Sequence, residues 1–150
     1  MSNQSRRQFL SRSAALASAA AIPIVTTRSA RAADSPNERL RVVILGLNGR
    51  GSAHVDGFAK TPNCEISAIV DPDEAVGQKA ADAIYKRTNK RPEVYKDMRQ
   101  AYDDDSLHIA SIATPNHWHS LASIWAMQQG KDVYVEKPVS HNVFEGRQCT

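Results

Sequence analysis

The chain has 150 residues, with 19 Lys+Arg against 16 Asp+Glu and a formal net charge of +3. Five arginines, at positions 6, 7, 12, 28 and 31, fall within the first 32 residues, which hold no acid. The remainder therefore carries 14 basic and 16 acidic side chains. This balance removes the electrostatic argument for a nucleic-acid or anionic-surface partner, and the two cysteines, Cys64 and Cys149, lie too far apart for a metal-type spacing.

In chain order, Ser5-Arg6-Arg7-Gln8-Phe9-Leu10 reads as a twin-arginine export motif. The stretch Ala14–Val25 behind it is weakly apolar and interrupted by Ser18 and Pro23. A spanning helix needs about 20 apolar residues, so this segment reads as a leader and not an anchor. Small residues in Ala30-Arg31-Ala32 set the expected cleavage after Ala32. Residues 1–32 are thus expected to be a signal handled by the twin-arginine machinery, 33–39 a polar linker, and the product periplasmic or otherwise exported. About 118 residues follow the leader, enough for one small domain. That export route carries folded proteins, which favours free thiols at Cys64 and Cys149 over a disulfide.

Leu40–Leu45 is a short apolar run that reads as a buried parallel strand. It enters Gly46-Leu47-Asn48-Gly49-Arg50-Gly51, and a helix is expected from Ser52 to about 59. A pyrophosphate needs backbone N–H groups at a helix N-terminus with no side chain in the way. Gly46 and Gly51 hold the first and third glycine positions of such a turn, and Asn48 stands at the second. Asn tolerates left-handed backbone angles, and Gly49 is its neighbour. A second strand over 64–70 ends at Asp71, twenty residues beyond Gly51. A carboxylate there accepts the adenosine ribose hydroxyls and repels a 2′-phosphate, which favours NAD. Arg50, beside the phosphates, leaves NADP as the alternative. Asp71-Pro72-Asp73-Glu74 also has the form of a helix start with Asp71 as N-cap.

A helix is expected over 74–87, with Ala75, Val76, Ala80, Ala83 and Ile84 partly on one face. An edge strand over 92–95, a short helix over 97–102 and a solvated turn at Asp103-Asp104-Asp105 follow. Strand four is expected over 107–113 and a helix over 117–129, with Trp118, Leu121, Ala122 and Trp125 packing against the sheet. Gly130 ends that helix, strand five occupies 132–136, and a further helix opens near Val143. Strands alternating with helices at this spacing define an α/β fold: a doubly wound parallel sheet, or Rossmann fold. Right-handed crossovers bring the loops after strands one, four and five to one carboxyl edge.

Two further motifs fall on that edge: Thr114-Pro115-Asn116-His117-Trp118-His119 and Glu136-Lys137-Pro138. With the glycine turn and Asp71, they resemble the Gfo/Idh/MocA oxidoreductase family over residues 40–150. The departure is Asn48 in place of the second glycine. The resemblance implies that Thr114, Pro115 and Asn116 line an NAD(P) cofactor near its pyrophosphate and nicotinamide ribose. His119 matches the family's histidine after that turn, and Glu136 and Lys137 would lie beside the nicotinamide. Lys137 would hold or polarise a substrate hydroxyl, in accord with the value of a fixed ammonium where charge develops on oxygen. Pro138 biases Lys137 toward an extended backbone.

His117 and His119 point about 200° apart on a helix and make a poor chelating pair. No metal site is expected. His54 could face either the cofactor or the sheet. His108 reads as structural, and nothing fixes His141.

The resemblance also implies a second domain, absent from these 150 residues, that supplies substrate walls and an acid–base pair. Residues 40–150 are therefore expected to be a C-terminally incomplete nucleotide-binding domain, holding half an active site. The leading expectation is the N-terminal part of an exported NAD(P)-dependent oxidoreductase acting on a sugar, polyol or related carbohydrate. The alternatives are an NAD-dependent glycoside hydrolase on the same scaffold and a non-catalytic nucleotide-binding fragment. Replacing Arg6 and Arg7 together by lysine is expected to hold a tagged full-length protein inside the cell. Fractionation checks this, and unchanged export would refute the leader assignment.

Overall fold

A computed structural model of the chain describes residues 39–150. The leader, the cleavage position and all of the linker but Arg39 lie outside the described residues. Within them the order is β1 (Leu40–Leu45), α1 (Arg50–Phe58), β2 (Cys64–Val70), α2 (Glu74–Thr88), β3 (Glu93–Tyr95), α3 (Met98–Tyr102), β4 (Ile109–Ile112), α4 (Asn116–Gln128), β5 (Asp132–Val135) and α5 (Val143–Gln148). The five strands form one sheet in the order β3-β2-β1-β4-β5, and every neighbouring pair is parallel. The chain winds outward from β1 to β3, then crosses back to lay β4 on the other side of β1. The β1–β4 junction is therefore the point where the winding reverses, and ligands of open α/β sheets bind outside the strand ends there.

Alternation along the strands feeds two cores. Val43 and Leu45 join Ala110, Ile112, Tyr102, Ala122 and Ala126 on the face covered by α3 and α4. Val42 and Ile44 join Ile66, Ile69, Val55, Ala81 and Ile84 on the face covered by α1 and α2. Successive residues of a strand point to opposite faces, so a continuously apolar β1 requires both faces to be covered. Val42 to Leu45 are all 0% exposed, and each such side chain contributes about 1.5–3 kcal/mol relative to exposure.

Several expected details shift. The buried face of α2 is Gly77, Ala81 and Ile84, while Ala75 and Ala83 are exposed; the close approach of Val94 to Gly77 turns the helix to that side. On α4 the residues buried against the sheet are small: His119 aside, they are Ser120, Ala122, Ser123 and Ala126. Trp118 and Leu121 are exposed, and Trp125 is only partly buried against the core. The sequence pattern expected the indoles against the sheet. Trp125 does pack in part on that core, whereas Trp118 is exposed, and both line the crevice at the strand ends. Cys64 and Cys149 are both free thiols.

α1 depends on close backbone contact. A Cβ on Gly51 would stand 1.8 Å from the Gly46 carbonyl oxygen, whereas one on Gly57, in the same helix, would meet nothing within 4 Å. Gly51→Ala is therefore expected to destabilise the domain by about 1–3 kcal/mol or more. Gly57→Ala is expected to stabilise it by about 0.5–1 kcal/mol. Chemical denaturation of the two variants checks the opposite signs.

Candidate cofactor and catalytic site

The strands end level with one another. The N–H of Gly46 donates to Val70 O at 2.9 Å, that of Asp71 to Tyr95 O at 3.1 Å, that of Ala113 to Leu45 O at 2.9 Å and that of Glu136 to Ile112 O at 3.0 Å. Four loops thus open on one edge. Between them lies a crevice of about 660 Å³, lined by Gly46, Asn48, Asp71, Thr114 and Pro115 and on its apolar side by Met98, Trp118 and Trp125. The Arg99 guanidinium lies over the Trp125 ring, 5.8 Å from its centroid.

The glycine turn is shaped by contact. A Cβ on Gly46 would come within 2.9 Å of Ala113 O, and its φ of 79° is left-handed. The other left-handed residue of the turn is Gly49, at φ 119°; Asn48 is not left-handed. Asn48 therefore needs none of the backbone tolerance that its residue type offers, because Gly49 carries that conformation.

The helices differ at their N-termini. α2, α3 and α5 are capped by the side chains of Asp73, Asp97 and Asn142. α1 and α4, the two that follow β1 and β4, begin at Gly49 and Pro115 without any side-chain cap. Their first N–H groups are left to other acceptors, and an anion between the two helix starts suits both the open donors and the dipoles.

Asp71 is not the N-cap that the local sequence pattern suggested. Asp73 caps α2, accepting from the N–H of Ala75 at 2.9 Å and of Val76 at 3.4 Å. Asp71 is 6% exposed. Its carboxylate is turned back across the edge, accepting the Leu47 N–H at 2.9 Å and the Asp73 N–H at 3.0 Å. The chain reaches helical geometry only two residues later because Asp71 is committed to the glycine turn. Each carboxylate oxygen retains a further lone pair.

On the other wall, the Thr114 hydroxyl is buried and has no hydrogen-bond partner among the described residues. A buried polar group normally has one. Asn116 opens α4 and is exposed. His119 is 1% exposed, and its ring hydrogen-bonds Thr114 O at 2.8 Å and Pro138 O at 2.7 Å. It meets backbone on both sides, tying the Thr-Pro-Asn turn to the Glu-Lys-Pro loop. Lys137 is exposed beside that tie, and the Lys137–Pro138 peptide is cis.

Glu136 faces α1. Its Oε1 accepts from Arg50 Nε at 2.6 Å and lies 3.0 Å from His54 Nε2. Arg50, expected beside the phosphates, is turned to the β5 side, where it borders a small cleft with His54, Phe58 and Tyr134. The structure answers the open question of His54: it is 6% exposed, with Nδ1 2.8 Å from Ser111 Oγ. Sequence reasoning missed Ser111 and the His54–Glu136 contact. The available signal was the i,i+4 spacing of Arg50 and His54 on one helix face.

This architecture is that of a dinucleotide-binding Rossmann domain. Residues 40–150 match the Gfo/Idh/MocA family, an oxidoreductase family with an NAD-binding Rossmann fold, and the chain belongs to it. It is 36% identical over 110 residues to a glycosyl hydrolase family 109 protein of Shewanella baltica, covering 71% of this chain and 24% of that one. An alpha-N-acetylgalactosaminidase of Shewanella oneidensis is 34% identical over 112 residues, covering 72% and 24%. Among solved structures, GenD2 from gentamicin A biosynthesis, in complex with NAD, superimposes with a TM-score of 0.66 at 28% identity, covering 75% of this chain and 30% of that one. The chain thus spans about a quarter of the length of the curated relatives it matches.

The residues present fit NAD. Gly46 and Gly51 close the turn against backbone where a Cβ would collide, and the starts of α1 and α4 carry no side-chain cap. Asp71 and Thr114, whose hydroxyl has no partner among the described residues, line one crevice.

The Arg50 guanidinium, then the His54 ring, holds the Glu136 carboxyl at about 2, below its ordinary 4.5. A depressed carboxyl contributes stability above its unfolded value and loses it as pH falls through the folded one. The Arg50–Glu136–His54 contact is therefore expected to persist at pH 4.5 and to dissolve toward pH 2. Carboxyl-detected NMR titration checks this, and Glu136→Gln should abolish that part of the acid response.

Proposed function

We propose that this chain is the cofactor-binding part of an exported, NAD-dependent enzyme that acts on a sugar, polyol or related carbohydrate by hydride transfer. The observation that carries the reading is the His119 tie. It joins the turn lining the crevice to the loop bearing Lys137, since the bond on the far side is accepted by Pro138, the next residue, and this supports a place for the Lys137 ammonium beside the cofactor. The bound cofactor supplies the hydride acceptor. Lys137 holds the substrate hydroxyl and stabilises the charge that develops on its oxygen as the hydride leaves. Gly46, Gly51 and the starts of α1 and α4 hold the pyrophosphate, and Asn116 and the Thr114 hydroxyl meet the adjoining ribose. Asp71 accepts a ribose hydroxyl while keeping the glycine turn in place. Its buried charge, with Asp73 and Glu74 following, disfavours a 2′-phosphate and hence NADP. The base that takes the hydroxyl proton comes from the part of the protein beyond these residues.

A second reading rests on a specific observation, the glycosidase names of the curated relatives at 34–36% identity. In that reading the sugar is oxidised only transiently. The resulting carbonyl acidifies the neighbouring C–H, loss of that proton expels the glycosidic alcohol, water adds across the double bond so formed, and the hydride is returned to the carbonyl carbon.

In the full-length protein, Lys137→Met is expected to lower kcat by about 10²–10³-fold while leaving the dissociation constant for NAD within a factor of two or so. Stopped assays and calorimetry check the pair. NADH accumulating in step with product identifies the oxidoreductase, and product without NADH identifies the hydrolase. An unaltered kcat in Lys137→Met overturns the role of Lys137 in both.

A further inference from the structure

Glu136 adjoins Lys137 in sequence, yet its carboxylate is turned away from the crevice toward α1. Three groups meet there. Arg50 and His54, one turn apart on α1, both reach Oε1, and the third group is the carboxylate itself, carried by the residue that immediately precedes Lys137. His54 is anchored from behind. Its Nδ1 meets the hydroxyl of Ser111, a residue 0% exposed in the middle of β4. Its ring is walled by the edge of Tyr134, 5.3 Å between centroids.

Chemistry fixes the direction of the bonds to the carboxylate. An ionised carboxylate only accepts, so the proton between His54 and Glu136 sits on Nε2. On the other side of the ring Nδ1 stands 2.8 Å from Ser111 Oγ. The imidazole is thus held between a hydroxyl fixed in the sheet and the carboxylate of the residue that precedes Lys137. Arg50 supplies charge from the solvent side, its side chain being 67% exposed. The exposed arginine is free to swing, whereas the buried imidazole has one place to be. His54 is the member that fixes the carboxylate rotamer.

We propose that His54 is a positioning residue for Lys137, acting through Glu136. The proposal rests on the role given to Lys137 above. Its physical content is a shared reference frame: α1 starts at the cofactor phosphates and, one turn later, holds the carboxylate of the residue to which the lysine is joined. Hydride acceptor and ammonium are thus registered on one rigid element, and a displacement of about 1 Å between such groups costs on the order of 10²-fold in rate.

The test uses the full-length protein with NAD and its carbohydrate substrate. His54→Leu is expected to lower kcat about ten- to hundred-fold, with the dissociation constant for NAD changed less than about threefold, because the phosphate end of α1 is untouched. His54→Gln, whose amide N–H can donate to Glu136, is expected to recover most of the lost rate. Hydrogen exchange of the Lys137 amide, read by NMR without turnover, is expected to quicken about tenfold in His54→Leu and not in His54→Gln. In a Lys137→Ala background His54→Leu is expected to cost nothing further. If His54→Leu does not fold, Ser111→Ala removes the anchor alone and carries the same expectations at smaller size. The proposal is overturned if His54→Leu or Ser111→Ala leaves kcat and Lys137 exchange unchanged, or if its loss adds in full to that of Lys137→Ala. A Lys137→Ala enzyme of undiminished rate is a separate result: it refutes the assignment of Lys137 itself, and with it any action of His54 through that residue.

Discussion

At the carboxyl end of β1, three stretches of backbone approach more closely than side chains permit. The Gly46 α-carbon packs on the carbonyl of Ala113 at the end of β4, and Gly51, in the first turn of α1, packs on the carbonyl of Gly46. Everything at the site inherits this contact. It sets the depth of the crevice, aims the start of α1 into it, and holds β1 and β4 at the separation where the winding of the sheet reverses. Side chains at either glycine would collide with that backbone and push the helix start off the strand end.

Around that contact the domain spends polar side chains on backbone. Asp71 holds the N–H of Leu47 and the N–H of Asp73. His119 bridges the carbonyls of Thr114 and Pro138. Glu136 pairs with Arg50 and His54, which ties the end of β5 to α1. Each ties two loops that come from different strands. Loops at a strand edge have few apolar contacts to fix them, and a charge-assisted bond to a backbone group is among the stronger single ties available, at about 1.5–3 kcal/mol when shielded. The left-over donors, at the starts of α1 and α4, and the left-over hydroxyl of Thr114 are those a dinucleotide can use.

The fold was legible because its signals are local and periodic. The apolar runs at 40–45 and 64–70, the breaks at Pro62 and Gly130, and the alternation of strand and helix lengths define a parallel sheet without reference to anything distant. The same holds for the order of motifs along the edge, since right-handed crossovers leave a single side for the loops after β1, β4 and β5. Where the reading slipped, two elements competed for the same residues. Asp71 could cap a helix or secure a turn, and only the position of Leu47 decided. The indoles of α4 matched a buried stripe in spacing, but only Trp125 packs in part on the core, and Trp118 is left exposed at the crevice.

By itself, then, the sequence determined the parallel sheet, through the alternation of apolar runs and helix patterns, and the family with its cofactor class, through motifs that stand in a fixed order along the chain. Only the tertiary structure decided where the carboxylates and histidines point. Arg50 pairs with Glu136, Glu136 turns to α1, and His54 closes on Ser111, 57 residues away. Those choices depend on partners brought together by sheet pairing. A hydrogen bond acts over about 3 Å in space and is indifferent to separation in sequence, so the i,i+4 spacing of Arg50 and His54 marks a shared helix face but not the partner it meets.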